Sequence, residues 1–205
     1  NLEFKPQQYY ITYDFETMEQ IVNKSSTTST TINSRLVPIS VSCCVKGKTI
    51  KLTQHFDARD PEFIIHWIEY MLDQAEEIVK DKIKFYIDML KTKTIGGIVR
   101  DLHTVTVFGF NSSRFDSNLF KQYFIHKCKA SSDGTSKSGR SWHVDNNSLI
   151  GTATSLKQFI LVSKDVLLRF IDAQSFIAGG TLKQFGKDFG GIDNSAKGIF
   201  PYEAI

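Results

Sequence analysis

Three cysteines in 205 residues are too few, and wrongly spaced, for a disulfide framework. Cys43 and Cys44 are adjacent in an apolar run and Cys128 stands far away. No Cys-x-x-Cys pair exists, which also argues against a structural zinc site. No apolar stretch approaches the roughly 18 residues a membrane helix needs, and no secretory signal is visible. A reducing, intracellular compartment is therefore expected, and the Asn-x-Ser triplets at Asn23 and Asn111 read as chance occurrences. No internal repeat and no sharp shift of composition divides the chain, so residues 1–205 are expected to form a single domain. The first residue is Asn1 rather than Met, which reads as a fragment or a processed form. What is abundant is aromatic. Sixteen Phe and seven Tyr can fill a core, and a few can stack on bases. The formal net charge of +3 permits an anionic partner without demanding one.

The element pattern is mixed α/β. Tyr9 to Phe15 is rich in aromatic and β-branched residues and reads as a strand. Residues 23–34 are polar and low in complexity, so a flexible loop is expected there. Leu36 to Val45 and Thr49 to Phe56, separated by a short gap holding Gly47, read as a hairpin. Asp60-Pro61-Glu62 is a helix start, and apolar residues recur at helical spacing from Ile64 to Leu90, in one long helix or two. Gly96-Gly97 is expected to end that region. Thr104 to Phe110 is a further strand, and Asn111-Ser112-Ser113 a turn that caps a helix from about Arg114 to Tyr123. Leu156 to Val162 and Val166 to Ile171 alternate like paired strands around Ser163-Lys164-Asp165. Residues 130–141 read as a polar loop, and Thr181 to Phe189 as a short helix closed by Gly190-Gly191.

Two acidic clusters stand out. In Tyr13-Asp14-Phe15-Glu16-Thr17, Asp14 and Glu16 share one face of a strand. Converging carboxylates repel unless a cation sits between them, and Mg²⁺ or Mn²⁺ suits such oxygen donors. A solvated strand end accounts for a lone Asp-x-Glu equally well. The second cluster, Asn111-Ser112-Ser113-Arg114-Phe115-Asp116, follows an apolar strand and opens a helix, where backbone N–H groups favour an ionised Asp116. An acid so placed beside an acidic strand can close a metal cage, or it is simply a favoured helix-start residue.

In order along the chain, these clusters resemble the first two exonuclease motifs of family B DNA polymerases, which belong to the DEDD exonucleases. Thr181-Leu182-Lys183-Gln184-Phe185 resembles the (S/T)-L-x-x-h motif, and Lys197-Gly198-Ile199-Phe200 the K-x-x-h motif, of the protein-primed branch of viral, transposon and linear-plasmid polymerases. The resemblance implies an RNase H-like fold, with a mixed central sheet flanked by helices, and 3′→5′ proofreading hydrolysis with two divalent ions, Mg²⁺ or Mn²⁺. By that resemblance Asp14, Glu16 and Asp116 hold metal, and Lys197 assists catalysis. Thr17, Asn111, Phe115, Thr181 and Leu182 handle the single-stranded 3′ end of DNA. A terminal priming protein is an implied partner, and a virus, plasmid or mitochondrion an implied setting. Leu119 falls where relatives often carry an aromatic residue.

The family's fourth acid comes from a Tyr-x-x-x-Asp motif after the K-x-x-h motif. Here the last residue is Ile205, and the one match to that spacing, Tyr10 and Asp14, precedes the other motifs. The expectation is that the missing acid lies further along a longer polymerase chain, and that these 205 residues alone are weak or inactive. The rival from another class is a non-catalytic nucleic-acid-binding or scaffold domain on the same fold. An RNase H-like endonuclease shares the metal logic but gives no reason for the Thr181-Leu182 and Lys197 motifs.

Overall fold

The computed structural model describes residues 9–26, 31–47, 51–90, 96–121, 123, 142–152, 154–176 and 181. Its centre is an open, mixed eight-stranded sheet. The strands are β1 (Tyr10–Ser26), β2 (Thr31–Lys46), β3 (Lys51–Asp57), β4 (Thr104–Gly109), β5 (His143–Val144), β6 (Ile150–Thr152), β7 (Ser155–Ser163) and β8 (Val166–Asp172). Their spatial order is β3-β2-β1-β4-β8-β7-β5, with β6 also pairing with β7. β1, β4 and β8 run parallel to one another, and every other pairing is antiparallel. The helices are α1 (Phe63–Leu90), α2 (Gly96–His103) and α3, which is described over 116–121. Among the described residues no helix is long and apolar enough to cross a membrane.

One face of the sheet carries the core. Strand alternation turns Ile11, Tyr13 and Phe15 of β1 inward, together with Tyr9 just before it, all of them buried. α1 meets them with the stripe Ile64, Trp67, Ile68, Met71, Leu72, Ala75, Ile78 and Val79, likewise buried. α3 adds Phe120, fully buried against Tyr13, Phe15, Trp67, Phe159 and Phe170. Phe159 and Phe170, on the neighbouring strands β7 and β8, stack with ring centroids 4.4 Å apart. Among the described residues most Phe and Tyr side chains thus belong to this core or pack against it.

Local chemistry explains the helix and strand boundaries. Asp60 caps α1: its carboxylate accepts the Glu62 N–H at 2.9 Å and its carbonyl the Phe63 N–H at 3.1 Å. The Glu62 amide first, then His66, hold the Asp60 carboxyl below its usual range. α1 is one 28-residue helix. Gly96-Gly97 does not end a helical region but opens α2, which leads straight into β4. The hairpins around Gly47 and around 163–165 form as expected. Lys164 takes the left-handed conformation, φ 49°, that a tight turn needs.

The largest departure lies at residues 23–34. β1 and β2 run on as a two-stranded ribbon, with Ser25 opposite Ile32 and Ser26 opposite Thr31, so much of the expected loop is strand. Thr and Ile there are good strand formers, and pairing along a ribbon needs no buried face. The ladder slips between Glu16/Ser40 and Thr17/Pro38. Pro38 has no N–H to give the ladder, and the carbonyl of the skipped Ile39 is taken by the Ala58 N–H at 2.8 Å. The expected loop at 130–141 and the expected helix at 181–189 lie outside the described residues, except for Thr181.

Candidate acidic site

β4 and β8 end side by side at Gly109 and Asp172, next to Tyr13 of the longer β1, with Tyr13 in register with Gly109 and Gly109 with Asp172. In open α/β sheets the crevice beyond the carboxyl ends of the strands is where ligands bind. Here the turn after β4 and the turn after β8 enclose it. Tyr13 lies across Gly109 so closely that a Cβ there would come within 2.7 Å of the Tyr13 Cζ and 2.7 Å of the Ser112 Cβ. The glycine is required by that close approach. The Tyr13 and Ser112 side chains hydrogen-bond to each other.

The negative charges of three carboxylates act on Tyr13. Its hydroxyl is pushed far above the ordinary tyrosine range, by burial first, then by the negative charge of Asp116, with smaller contributions from Asp172 and Asp14; the Ser112 bond works the other way. Tyr13 therefore stays a neutral phenol at any physiological pH. The parallel register sets the segments that carry these three acids side by side. Their side chains point in different directions. Asp14 and Glu16 project from the sheet face opposite Tyr13, Asp14 exposed and Glu16 half-buried. Asp116 opens α3 on the core face and is buried.

Asp172 was not singled out as a site residue from the sequence. It is 3% exposed, and both carboxylate oxygens are occupied: one accepts the Ser113 N–H at 3.0 Å, the other the Gln174 N–H at 2.9 Å. It therefore ties the 111–115 turn to the end of β8. The signal was present in the sequence, since an acid directly follows the strand-like run Val166–Ile171, as Asp14 interrupts that of β1.

The turn is shaped by its own residues. Asn111 has a φ of 55°, in the left-handed region, and its Oδ1 is buried with no hydrogen-bond partner. Asn tolerates that backbone better than most residues, yet the orphaned oxygen is a cost. Ser112 accepts at its carbonyl from the Ser117 N–H (2.9 Å) and the Ser117 hydroxyl (2.6 Å), which starts α3 two residues later than the sequence pattern indicates. Phe115 projects outward, 54% exposed. Thr17 is half-buried beside the register slip, opposite Pro38. Thr181 is exposed, while Leu182 and Lys197 lie outside the described residues.

The fit to a divalent cation is partial. The donors near the strand end are all carboxylates, the chemistry that Mg²⁺ or Mn²⁺ selects. Yet among the described residues no three Asp, Glu, His or Cys side chains gather closely enough to hold an ion. His55 and Asp60 stand five residues apart, ahead of Asn111, Asp116, Thr181 and Lys197 in the chain and so out of the order of the resembled motifs. Both line a separate cleft of about 370 Å³ at the start of α1, where Asp60 caps the helix. This cleft shares no lining residue with the acidic site. In comparisons with known proteins, no family model, no curated protein and no solved structure matches the chain.

Proposed function

We propose that this chain is an RNase H-like nuclease domain, the 3′→5′ exonuclease domain of a protein-primed family B DNA polymerase. The observation that carries the reading is the parallel register Tyr13–Gly109–Asp172, which sets the segments bearing Asp14, Asp116 and Asp172 beside one another in the sheet, with Asp14 and Asp116 on opposite faces. A sheet with an antiparallel β1-β2-β3 meander, followed by β4 and β8 parallel to β1, is the strand order expected of an RNase H-like fold. The register slip next to Glu16 supports it too, since bulges recur beside active sites.

In this reading each residue has a defined task. Asp14, Glu16 and Asp116 would hold Mg²⁺ or Mn²⁺, which supplies an activated water and stabilises the departing 3′ oxygen. Asn111 offers an unpaired acceptor oxygen, suited to a hydroxyl or base N–H at the frayed 3′ end. Exposed Phe115 offers a ring face for the terminal base. Tyr13, locked as a neutral phenol, adds no negative charge to a site that must admit a phosphate. Thr17, Thr181, Leu182 and Lys197 take the roles the resemblance implies. An unpaired 3′ end enters such a crevice more cheaply than a paired one, which biases removal toward mismatches.

The rival reading is a domain of this fold that binds nucleic acid or another subunit without cutting. The absence of a three-ligand cluster among the described residues favours it. Incubation of 5′-labelled single-stranded DNA with Mg²⁺ or Mn²⁺ separates the two. In a chain extended through the missing Tyr-x-x-x-Asp motif, the nuclease reading expects metal-dependent shortening from the 3′ end, and Asp14→Ala there should lower the rate by more than the roughly 10- to 100-fold typical of losing an outer-shell partner of a metal. Shortening by Asp14→Ala at the wild-type rate would sink the site assignment. Binding without any shortening, in the longest chain that encodes this segment, would establish the rival.

A further inference from the structure

A second depression of about 280 Å³ adjoins the acidic site and shares Ser113 and Asp172 with it. Its walls are the 113–114 turn, the start of β7 and the turn that follows β8. Arg114 and Lys157 stand on these walls, both exposed, and among the described residues neither has an ion-pair partner. Ser155 and Ser175 add hydroxyls, and Gln174 an amide. The one acid, Asp172, is buried at the floor with both oxygens taken by the Ser113 and Gln174 N–H groups. Two cations against one carboxylate, whose oxygens each already accept a backbone N–H, leave a net positive, donor-rich surface, the composition that grips phosphates without reading bases.

The chain order of the turn relates this cleft to the acidic site. Arg114 lines the cleft, Phe115 projects into solvent, and Asp116 turns inward, buried at the start of α3. The three residues thus present a phosphate contact, a stacking face and an acid in sequence. A strand whose last base lies on Phe115 would bring the preceding backbone over Arg114.

We propose that this cleft is a binding subsite for the sugar–phosphate backbone of single-stranded DNA, with Arg114 and Lys157 as its phosphate contacts. The inference rests on the nuclease reading for the direction of the strand, but not for the binding itself. It requires no sequence preference, because every nucleotide carries the same phosphate. Neither cation touches the core, so their removal should leave the fold intact.

The test is fluorescence anisotropy of a labelled oligo(dT) of about ten nucleotides, titrated with the protein at several NaCl concentrations. EDTA is present so that no cleavage intervenes. The Arg114→Gln/Lys157→Gln double variant should bind about tenfold or more weakly. The slope of log K against log salt should shrink by about 1.4, which is roughly 0.7 for each phosphate contact on a single strand. Lys80→Gln, on the exposed side of α1 and paired with Glu77, should leave the slope unchanged. A wild-type slope in the double variant, an equal fall in Lys80→Gln, or no binding by the wild type overturns the subsite. A reduced slope confined to the double variant upholds it, even where the wild type never shortens DNA and the nuclease reading fails. Cleavage by the wild type together with an unchanged slope removes the subsite alone.

Discussion

Gly109→Ala is the smallest change that tests how the sheet positions the acidic site. One methyl group is added at the end of β4. On the present backbone it would lie 2.7 Å from the Tyr13 Cζ, 2.7 Å from the Ser112 Cβ and 2.8 Å from the Tyr13 hydroxyl oxygen. Ordinary carbon contacts lie near 3.5–4.0 Å, so the ring or the turn must retreat by roughly 1 Å. The ring has little room to do so. Trp67, Phe120, Phe170 and Phe15 surround it at centroid distances of 5.3, 5.9, 6.0 and 6.2 Å. Overpacking of this kind costs about 1–3 kcal/mol. For a domain of this size that lowers Tm by roughly 2–12 °C. The turn is the softer side, so part of the strain is expected to shift Asn111 and Asp116. Any DNA-end binding or cleavage should therefore fall together with stability. Thermal unfolding by circular dichroism reads the first effect and the 5′-labelled DNA assay the second. Adding Tyr13→Phe removes the hydroxyl contact but leaves Cζ, so its rescue should be incomplete. A Gly109→Ala protein with a wild-type Tm and a wild-type response to DNA would refute the argument that the close approach sets the site.

Further outcomes follow from single groups. Asp172→Ala strands the Ser113 and Gln174 N–H groups and should cost about 2–3 kcal/mol in a urea titration. Asp172→Asn keeps one acceptor and should cost less, and equal losses would argue against the clamp. Asp57 is held down to about 2, chiefly by the hydrogen bonds from the Arg59 side chain, 2.8 and 2.6 Å long. Because its folded pKa lies below the ordinary value of 3.8, its contribution is present above pH 4 and is lost as pH falls toward about 2. Arg59→Gln should flatten that acid limb of stability, and an unchanged limb would remove Asp57 as its source. The Cys43 thiol is pushed up to about 12, by burial first and by the neighbouring Cys44 second. Iodoacetamide followed by peptide mass mapping should label half-exposed Cys44 in the folded protein and Cys43 only after denaturation. Labelling of Cys43 at the Cys44 rate under native conditions would show that β2 opens.

How much was legible in the sequence depended on how local the cause was. The α1 stripe and its Asp60 cap, the β7–β8 hairpin and the alternation that sends Tyr13 inward and Asp14 outward follow from periods of 3.6 and 2 and from one capping side chain. Those are properties of neighbours along the chain. The ribbon through 23–26 and 31–34 was missed because a polar Ser/Thr run pairs through its backbone, which composition does not report. The opening of α2 at Gly96-Gly97 was missed because glycine marks helix ends of either sort.

The sequence by itself determined which residues carry charge and which face of its own element each one takes, because strand and helix periods act within a few residues. Asp14 and Glu16 were bound to share a face. Only the tertiary structure decided what stands across from them. The parallel register of β1, β4 and β8 brings Tyr13, Gly109 and Asp172 into line, and it makes Asp172 the clamp on a turn 59 residues earlier in the chain. No local pattern encodes that register. It is set by how the aromatic core of two helices and four strands closes, a condition on the whole chain.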